Sequence, residues 1–260
     1  FTGNKFEFRA FGSSGSIAWP LTVLNTIATE SLDSIATELE KAAGPNPTEA
    51  KLRSATKALL KKTIKEHKRV LFNGDNYGDA WHQEAEKRGL PNLRTTPDAL
   101  AMLKTRKASD LFKKYGVLNK IELESRFNIF AEQYVTYLVI EADTTLQLSR
   151  QYILPAAVRH QTDLAEAVSA TESANVDCED LREALEEFND LLARFRRAVN
   201  QLDTVIDRDH PEDLLKASVQ VRDGLKPAMD DVRALADELE GHVADDLWPL
   251  PTYREMLFIK

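Results

Sequence analysis

Three charged side chains near the start of the chain are spaced for work on a phosphate. In Thr2-Gly3-Asn4-Lys5-Phe6-Glu7-Phe8-Arg9-Ala10-Phe11, polar and apolar residues alternate with period two, the pattern of a half-buried β-strand. Lys5, Glu7 and Arg9 then share one face and Phe6, Phe8 and Ala10 the other, with about 7 Å between successive charges. A carboxylate flanked by two cations can hold a divalent cation while its neighbours neutralise phosphoryl oxygens. The same pattern also describes a solvated strand face closed by a cross-strand ion pair, and the residues by themselves leave both readings open.

Other candidates carry less. Gly12-Ser13-Ser14-Gly15-Ser16 is turn-rich but lacks the Lys-Ser/Thr ending of a phosphate-cradling loop, so it reads as a connector. His82 and Glu86 fall at i, i+4 on one helix face, yet two ligands do not make a metal site and no HExxH follows. Carboxylate pairs such as Glu141 with Asp143, Glu186 with Glu187, and Asp230 with Asp231 come without any Glu-x-x-His, which a di-iron bundle needs; they read as solvated faces. Cys178 stands at a helix start with no base beside it in sequence, so nucleophilic catalysis has no second member.

The elements that must position these residues are nearly all helical. Leu21, Leu24, Ile27, Ala28, Leu32, Ile35 and Leu39 predict a helix over 18–43, ended by Gly44-Pro45-Asn46-Pro47. A second covers 48–68, with Leu52, Leu59, Leu60 and Ile64 on one face and six lysines around the rest. Such a face can meet a polyanion, but lysines in this pattern more often form a solvated face or meet an acidic neighbour. Shorter helices follow at 77–88, after Thr96-Pro97-Asp98, and at 109–115. From residue 119 the pattern is long helices: 120–174 with a kink at Pro155, 178–206, and 212–243 weakened by Gly224 and Pro227, with a short closing segment over 249–258. In the second of these Leu181, Leu185, Phe188, Leu192, Phe195, Val199, Leu202 and Ile206 recur in steps of four and three, the seam of an antiparallel bundle.

The fold class expected is therefore mainly α: an N-terminal β-strand remnant of a sheet, then helices, then a long antiparallel helical bundle or hairpin. Two domains are expected, 1–118 and 119–260. The 260 residues are 43% hydrophobic, enough for a real core. Their net charge of −8 is uneven: residues 1–160 carry 23 Lys/Arg against 18 Asp/Glu, and residues 161–260 carry 11 against 24. The acidic rear argues against nucleic acid as a partner. No apolar run reaches membrane-spanning length, no signal peptide precedes the strand, and one cysteine excludes an internal disulfide. These features predict a cytoplasmic protein with no membrane partner. A lone strand is unstable, so the chain reads as the C-terminal part of a longer protein cut inside its sheet domain.

Three blocks of sequence are distinctive. The first is Phe1-Thr2-Gly3-Asn4-Lys5-Phe6-Glu7-Phe8-Arg9 running into Gly12-Ser13-Ser14-Gly15-Ser16-Ile17-Ala18. The second is Leu71-Phe72-Asn73-Gly74-Asp75-Asn76-Tyr77, with Trp81-His82-Gln83-Glu84-Ala85-Glu86-Lys87-Arg88-Gly89-Leu90-Pro91-Asn92-Leu93 and Thr95-Thr96-Pro97-Asp98-Ala99-Leu100. The third pairs Glu122-Leu123-Glu124-Ser125-Arg126-Phe127-Asn128-Ile129 with Gln151-Tyr152-Ile153-Leu154-Pro155-Ala156. Together they resemble the glutamine synthetase superfamily, and its type III branch in particular.

The resemblance implies a ligase of nitrogen assimilation that joins glutamate and ammonia at the expense of ATP, through γ-glutamyl phosphate and with Mg²⁺ or Mn²⁺. Lys5-Phe6-Glu7-Phe8-Arg9 matches the family's basic-x-Glu-x-Arg strand. By that match Glu7 is a metal ligand, Arg9 the catalytic contact to the glutamate carboxylate or the transferring phosphoryl group, and Lys5 a contact to ATP phosphate. Lys5 stands where many relatives have Arg, a point charge in place of a fork. The family's other metal ligands and its ammonium site are not in this chain, so the fragment alone is expected to be inactive. The resemblance further implies a homo-oligomer, a dodecamer of two hexameric rings, with residues 1–118 ending the catalytic domain and 119–260 serving assembly or covering the site. Two alternatives are a non-catalytic helical oligomerisation module and a related ligase that couples glutamate to another amine.

Overall fold

The computed structural model describes residues 15–75 and 78–257. The expected strand, with Lys5, Glu7 and Arg9, lies outside the described residues, and so does most of the Gly12–Ser16 stretch. Among the described residues the chain is helical throughout: α1 Ala18–Ala43, α2 Glu49–His67, α3 Asp79–Lys87, α4 Thr96–Ala101, α5 Arg106–Lys114, α6 Lys120–Leu148, α7 Leu154–Ser173, α8 Glu179–Ile206, α9 Leu214–Gln220, α10 Lys226–Glu240 and α11 Tyr253–Leu257. The mainly-α expectation holds; the sheet remnant is not among the elements described. No described helix is long and apolar enough to cross a membrane.

Two compact units form. The first runs to Arg94 and includes Met102–Glu124; the second is Thr95–Ala101 with the chain from Ser125 onward. In the first, α1 ends at Gly44, whose φ of +73° suits a residue without a side chain and whose N–H bonds Glu40 O at 2.8 Å. Thr48 caps α2 through Lys51 N. α5 is tied to α1 by the stacked rings of Trp19 and Phe112, 5.9 Å apart. This unit is thinly packed: α2 buries no residue, and α1 buries only Thr26 and Ala43.

The second unit holds the larger core. α8 lies against α7 and α10, and Phe188, Leu191, Leu192, Phe195, Val199, Leu202 and Val205 face inward with Val221, Leu225, Ala228, Val232, Ala236, Leu239 and Val243. The expected steps of four and three on α8 are seen, and on α10 Ala228, Val232, Ala236 and Leu239 are buried, a spacing that follows the 3.6-residue period of a straight helix.

Both prolines expected to disturb a long helix do so in the same way. A π-helical turn, Ser149–Ile153, separates α6 from α7, and another, Val221–Leu225, separates α9 from α10. In each the proline stands two positions after the turn. Pro155 has no N–H for the Gln151 carbonyl and its ring collides with that group. Widening the preceding turn removes the collision, and Leu154 N–H bonds Ser149 O five residues back. Lys226 N–H and Val221 O repeat the arrangement.

Candidate functional site

The residues with the strongest chemical pattern, Lys5, Glu7 and Arg9, lie outside the described residues. The helical part of the chain therefore contributes the geometry that can be measured. Among the described residues no group of three His, Cys, Asp or Glu is arranged to hold a metal. His82 has Nδ1 3.4 Å from Asn92 Nδ2, in keeping with a local polar contact. Cys178 is buried at the start of α8 as a free thiol.

What α3 and its approach do is hold shape. The rings of Phe72 and Trp81 lie 4.7 Å apart and the Arg88 guanidinium sits 5.7 Å from the Trp81 centroid. Arg88 Nη1 donates to Leu71 O at 2.7 Å and Arg69 O at 3.1 Å, and Nε donates to Glu84 at 2.7 Å. A Cβ on Gly74 would come within 2.7 Å of the Phe72 ring, so a side chain here requires that ring to shift. Gly89, with φ +68°, lets the chain turn out of α3 while Leu90 N bonds Ala85 O at 2.9 Å. Phe72, Gly74, Trp81, Glu84, Arg88 and Gly89 are thus one packing motif built around Arg88.

Two polar nodes carry the electrostatics. In the first unit Lys114 Nζ reaches Glu30 at 2.8 Å and Asp33 at 2.9 Å. The Tyr115 hydroxyl stands 2.5 Å from Glu30 Oε2 and 2.7 Å from Asp33 Oδ2. The Lys114 hydrogen bond, with that of Tyr115 next, holds both carboxyls below their usual range. Desolvation, with the Glu30 contact next, pushes the Tyr115 phenol up to about 12. A hydroxyl has one hydrogen, so the two carboxylates share it, and Lys114 offsets one of their two negative charges. This node ties α5 to α1.

In the second unit Arg222 is clamped from both sides. Nη1 donates to Asp98 Oδ1 at 2.7 Å and Thr95 Oγ1 at 3.2 Å, while Nε and Nη2 fork onto Asp223 at 2.6 and 2.9 Å. Thr95 Oγ1 in turn donates to Asp98 Oδ2 at 2.5 Å. Asp98 is held below the usual carboxylate range by the Thr95 hydroxyl first and Arg222 after it; Asp223 is held low by Arg222. The Arg222 guanidinium is raised by Asp223.

Arg222 is the second residue of its π-helical turn, and Arg150 is the second residue of the other. Arg150 forks onto Asp203 of α8 at 3.1 and 2.5 Å. Neither arginine stands out as a lone charge in the sequence. The signal that finds them is a repeat: Arg150-Gln151-Tyr152-Ile153-Leu154-Pro155-Ala156 and Arg222-Asp223-Gly224-Leu225-Lys226-Pro227-Ala228 share Arg, an aliphatic three positions on, and Pro-Ala. Ile153 and Ala156 are buried, as are Leu225 and Ala228. Each repeat turns its arginine outward into an ion pair while its aliphatic and alanine enter the core.

A groove of about 810 Å³ also opens on the second unit, between α6, α10 and the segment from Trp248. Leu138, Met229, Val232 and Leu250 line its floor; the pairs Lys226–Asp230 and Arg233–Asp237, both 2.6 Å, line its rim. It holds no pairing of nucleophile and base.

Comparison with known proteins places this helical chain beside one family. Residues 55–172 match the model of the glutamine synthetase C-terminal domain. All of the chain aligns with a type-3 glutamine synthetase of Dictyostelium discoideum at 36% identity over 273 residues, and with a glutamine synthetase of Bacteroides fragilis at 29% over 269. A glutamine synthetase of Butyrivibrio fibrisolvens is 34% identical over 268 residues, 99% of the chain. The chain spans about a third, 36%, of the length of each of these relatives. The chain therefore belongs to the glutamine synthetase family, and its residues 55–172 fall in that family's C-terminal domain.

Proposed function

We propose that the chain is the C-terminal part of a type III glutamine synthetase that makes glutamine from glutamate and ammonia with ATP. The observation that carries the reading is the alignment of the whole chain with a type-3 enzyme at 36% identity. The thin packing of the first unit supports it: Leu32 is 67% and Ile64 63% exposed, apolar surface suited to being covered by the rest of a larger protein.

In this reading a γ-carboxylate oxygen of glutamate attacks the γ-phosphorus of ATP and ADP leaves; the ammonia nitrogen then attacks the γ-carbonyl carbon and phosphate leaves. Charge builds on phosphoryl oxygens in the first step, so catalysis is mostly positioning and neutralisation. Arg9 contacts the glutamate carboxylate or the transferring phosphoryl group, and Lys5 contacts ATP phosphate. Glu7, a hard oxygen donor, would hold Mg²⁺ or Mn²⁺, which supplies further neutralisation of the phosphates. One carboxylate does not complete such a site, so its other ligands come from outside this chain and the chain alone is inactive. Residues 1–118 close the catalytic domain. Residues 119–260 serve assembly or cover the site in a cytoplasmic oligomer of two stacked hexameric rings.

The test is ADP release dependent on both glutamate and ammonia by the full-length protein, beside its Glu7→Ala variant. Activity that the variant loses by at least about a hundredfold supports both the reaction and the role of Glu7. An active parent with an unaffected variant removes the role, and turnover only with another amine replaces ammonia as substrate.

A further inference from the structure

The outer face of α8 is divided by charge in a way its own chain does not explain. Glu183, Glu187, Asp190, Arg194, Arg197 and Gln201 recur in steps of four and three, and all are exposed, so they form one stripe along the helix. Acids occupy its first half and arginines its second. Glu183 with Glu187, Glu187 with Asp190, and Arg194 with Arg197 are like charges three or four positions apart, an arrangement that weakens a helix. The helix dipole does not call for it either, because that effect is confined to the end turns. The first turn already has Glu179 and Asp180, and the last has no basic residue. Glu183, Glu187, Asp190 and Arg197 have no ion-pair partner among the described residues, and Arg194 forks onto Glu238 of α10 at 3.2 and 3.3 Å.

We infer that this stripe is a self-recognition surface, and that its partner is α8 of a second copy of this chain, antiparallel to it. The numbers specify the register. Positions 187 and 197, 190 and 194, and 183 and 201 are each centred on 192. A two-fold axis crossing the outer face at the height of residue 192 therefore sets Glu187 opposite Arg197 of the second copy, Asp190 opposite its Arg194, and Glu183 opposite its Gln201. Every facing pair is complementary, and the symmetry produces each pair twice. Arg194 keeps its fork on Glu238 and offers Nε–H to Asp190 of the second copy. A one-residue slip loses the match, and a parallel pairing in register sets like on like, so the stripe specifies orientation as well as partner. Exposed ion pairs are individually weak. The surface therefore fixes the register of copies held together by further contacts, and it weakens as salt is raised. The charge pattern of α8 carries this independently of the reaction proposed above.

The test places cysteines at the two ends of the stripe, Glu183→Cys with Gln201→Cys, in the whole protein that carries this chain; the native Cys178 is buried. Isotopically light and heavy copies are mixed, treated with a short bis-maleimide, and analysed by mass spectrometry of the linked peptides. The expected product joins 183 of one copy to 201 of the other. Adding Glu187→Arg sets like charges face to face at both ends and lowers the yield about tenfold. In that background the change also relieves repulsion from Asp190 within its own helix, so the loss does not report unfolding. Adding Arg197→Glu as well restores complementarity and the product. Absence of the mixed product, or a yield indifferent to Glu187→Arg, or no recovery in the charge-swapped variant, overturns the inference. None of these readouts depends on enzymatic activity.

Discussion

Arg222 and Asp98 are 124 positions apart in the chain and 2.7 Å apart in space. The bond fastens α4, a helix of six residues, to the π-helical turn at the head of α10. A helix that short does not persist alone, and α4 belongs to the same compact unit as the bundle although it is flanked in sequence by the other unit. Pro227 widens the turn, the turn presents Arg222, and Arg222 meets a carboxylate already oriented by Thr95.

This chain of dependence predicts that Arg222→Lys, which keeps the charge and loses the fork, destabilises the second unit almost as much as Arg222→Ala. Asp98→Asn has a similar effect, and the Arg222→Lys/Asp98→Asn pair costs less than the two single changes together because the groups share one network. Thermal unfolding followed by circular dichroism measures all four proteins, with expected falls of a few degrees for each single variant. Full additivity would remove the coupling.

Acid should loosen the same clamp. Thr95 and Arg222 hold the Asp98 carboxyl below the usual range, and Arg222 does the same for Asp223. For a depressed carboxyl the contribution to stability is complete above its unfolded value and is lost as pH falls through the folded one. Stability therefore declines with acid on the low side of the carboxylate range, and Asp98→Asn flattens part of that decline. Urea midpoints measured across the acid limb check both statements.

At the alkaline end the first unit gives the opposite sign. The Tyr115 phenol is pushed up to about 12 by burial and by Glu30. A raised value means that its contribution is intact below the unfolded value near 10 and is lost as pH rises toward 12. Tyrosinate absorbance should show late-ionising phenol, and Tyr115→Phe should remove the part contributed by Tyr115 while leaving that of Tyr134, which burial also raises. A titration in which that variant matches the parent would remove the shared-proton arrangement of Tyr115, Glu30 and Asp33.

Much of the helical frame could be read from the residues. Leu24, Ile27 and Leu39 with Gly44 define α1 because helix period and stop signal agree, and the spacing from Leu181 to Leu202 finds the seam of α8. What periodicity did not disclose is the work of Arg150 and Arg222. Each lies in a turn where the helical period is locally broken, so a pattern tuned to 3.6 residues passes over it. Their partners, Asp203 and Asp98, are 53 and 124 positions away, a separation that no local rule spans. In the second block of family-like sequence Trp81, Glu84 and Arg88 stack and bond one another. The alternation of Lys5, Glu7 and Arg9, on which the proposed phosphate chemistry rests, lies outside the described residues.

Packing differs between the units enough to separate two kinds of substitution. Phe195 is fully buried on α8, and Phe195→Ala should cost about 3–5 kcal/mol through lost burial and the cavity left behind. Leu60 and Ile64 line an open apolar stretch of α2 beside Leu52, and α2 buries nothing in this chain. Ile64→Asp should therefore change the stability of the isolated chain by no more than about 0.5 kcal/mol, as for a surface site. If α2 is covered in a larger enzyme, the same change buries a carboxylate without a partner and disrupts the full-length protein. Urea unfolding of the chain and sedimentation of the full-length protein, both carrying Ile64→Asp, compare the two settings. A variant that is neutral in both shows the α2 face to be open in the complete protein, whereas a defect confined to the full-length protein identifies it as an internal contact.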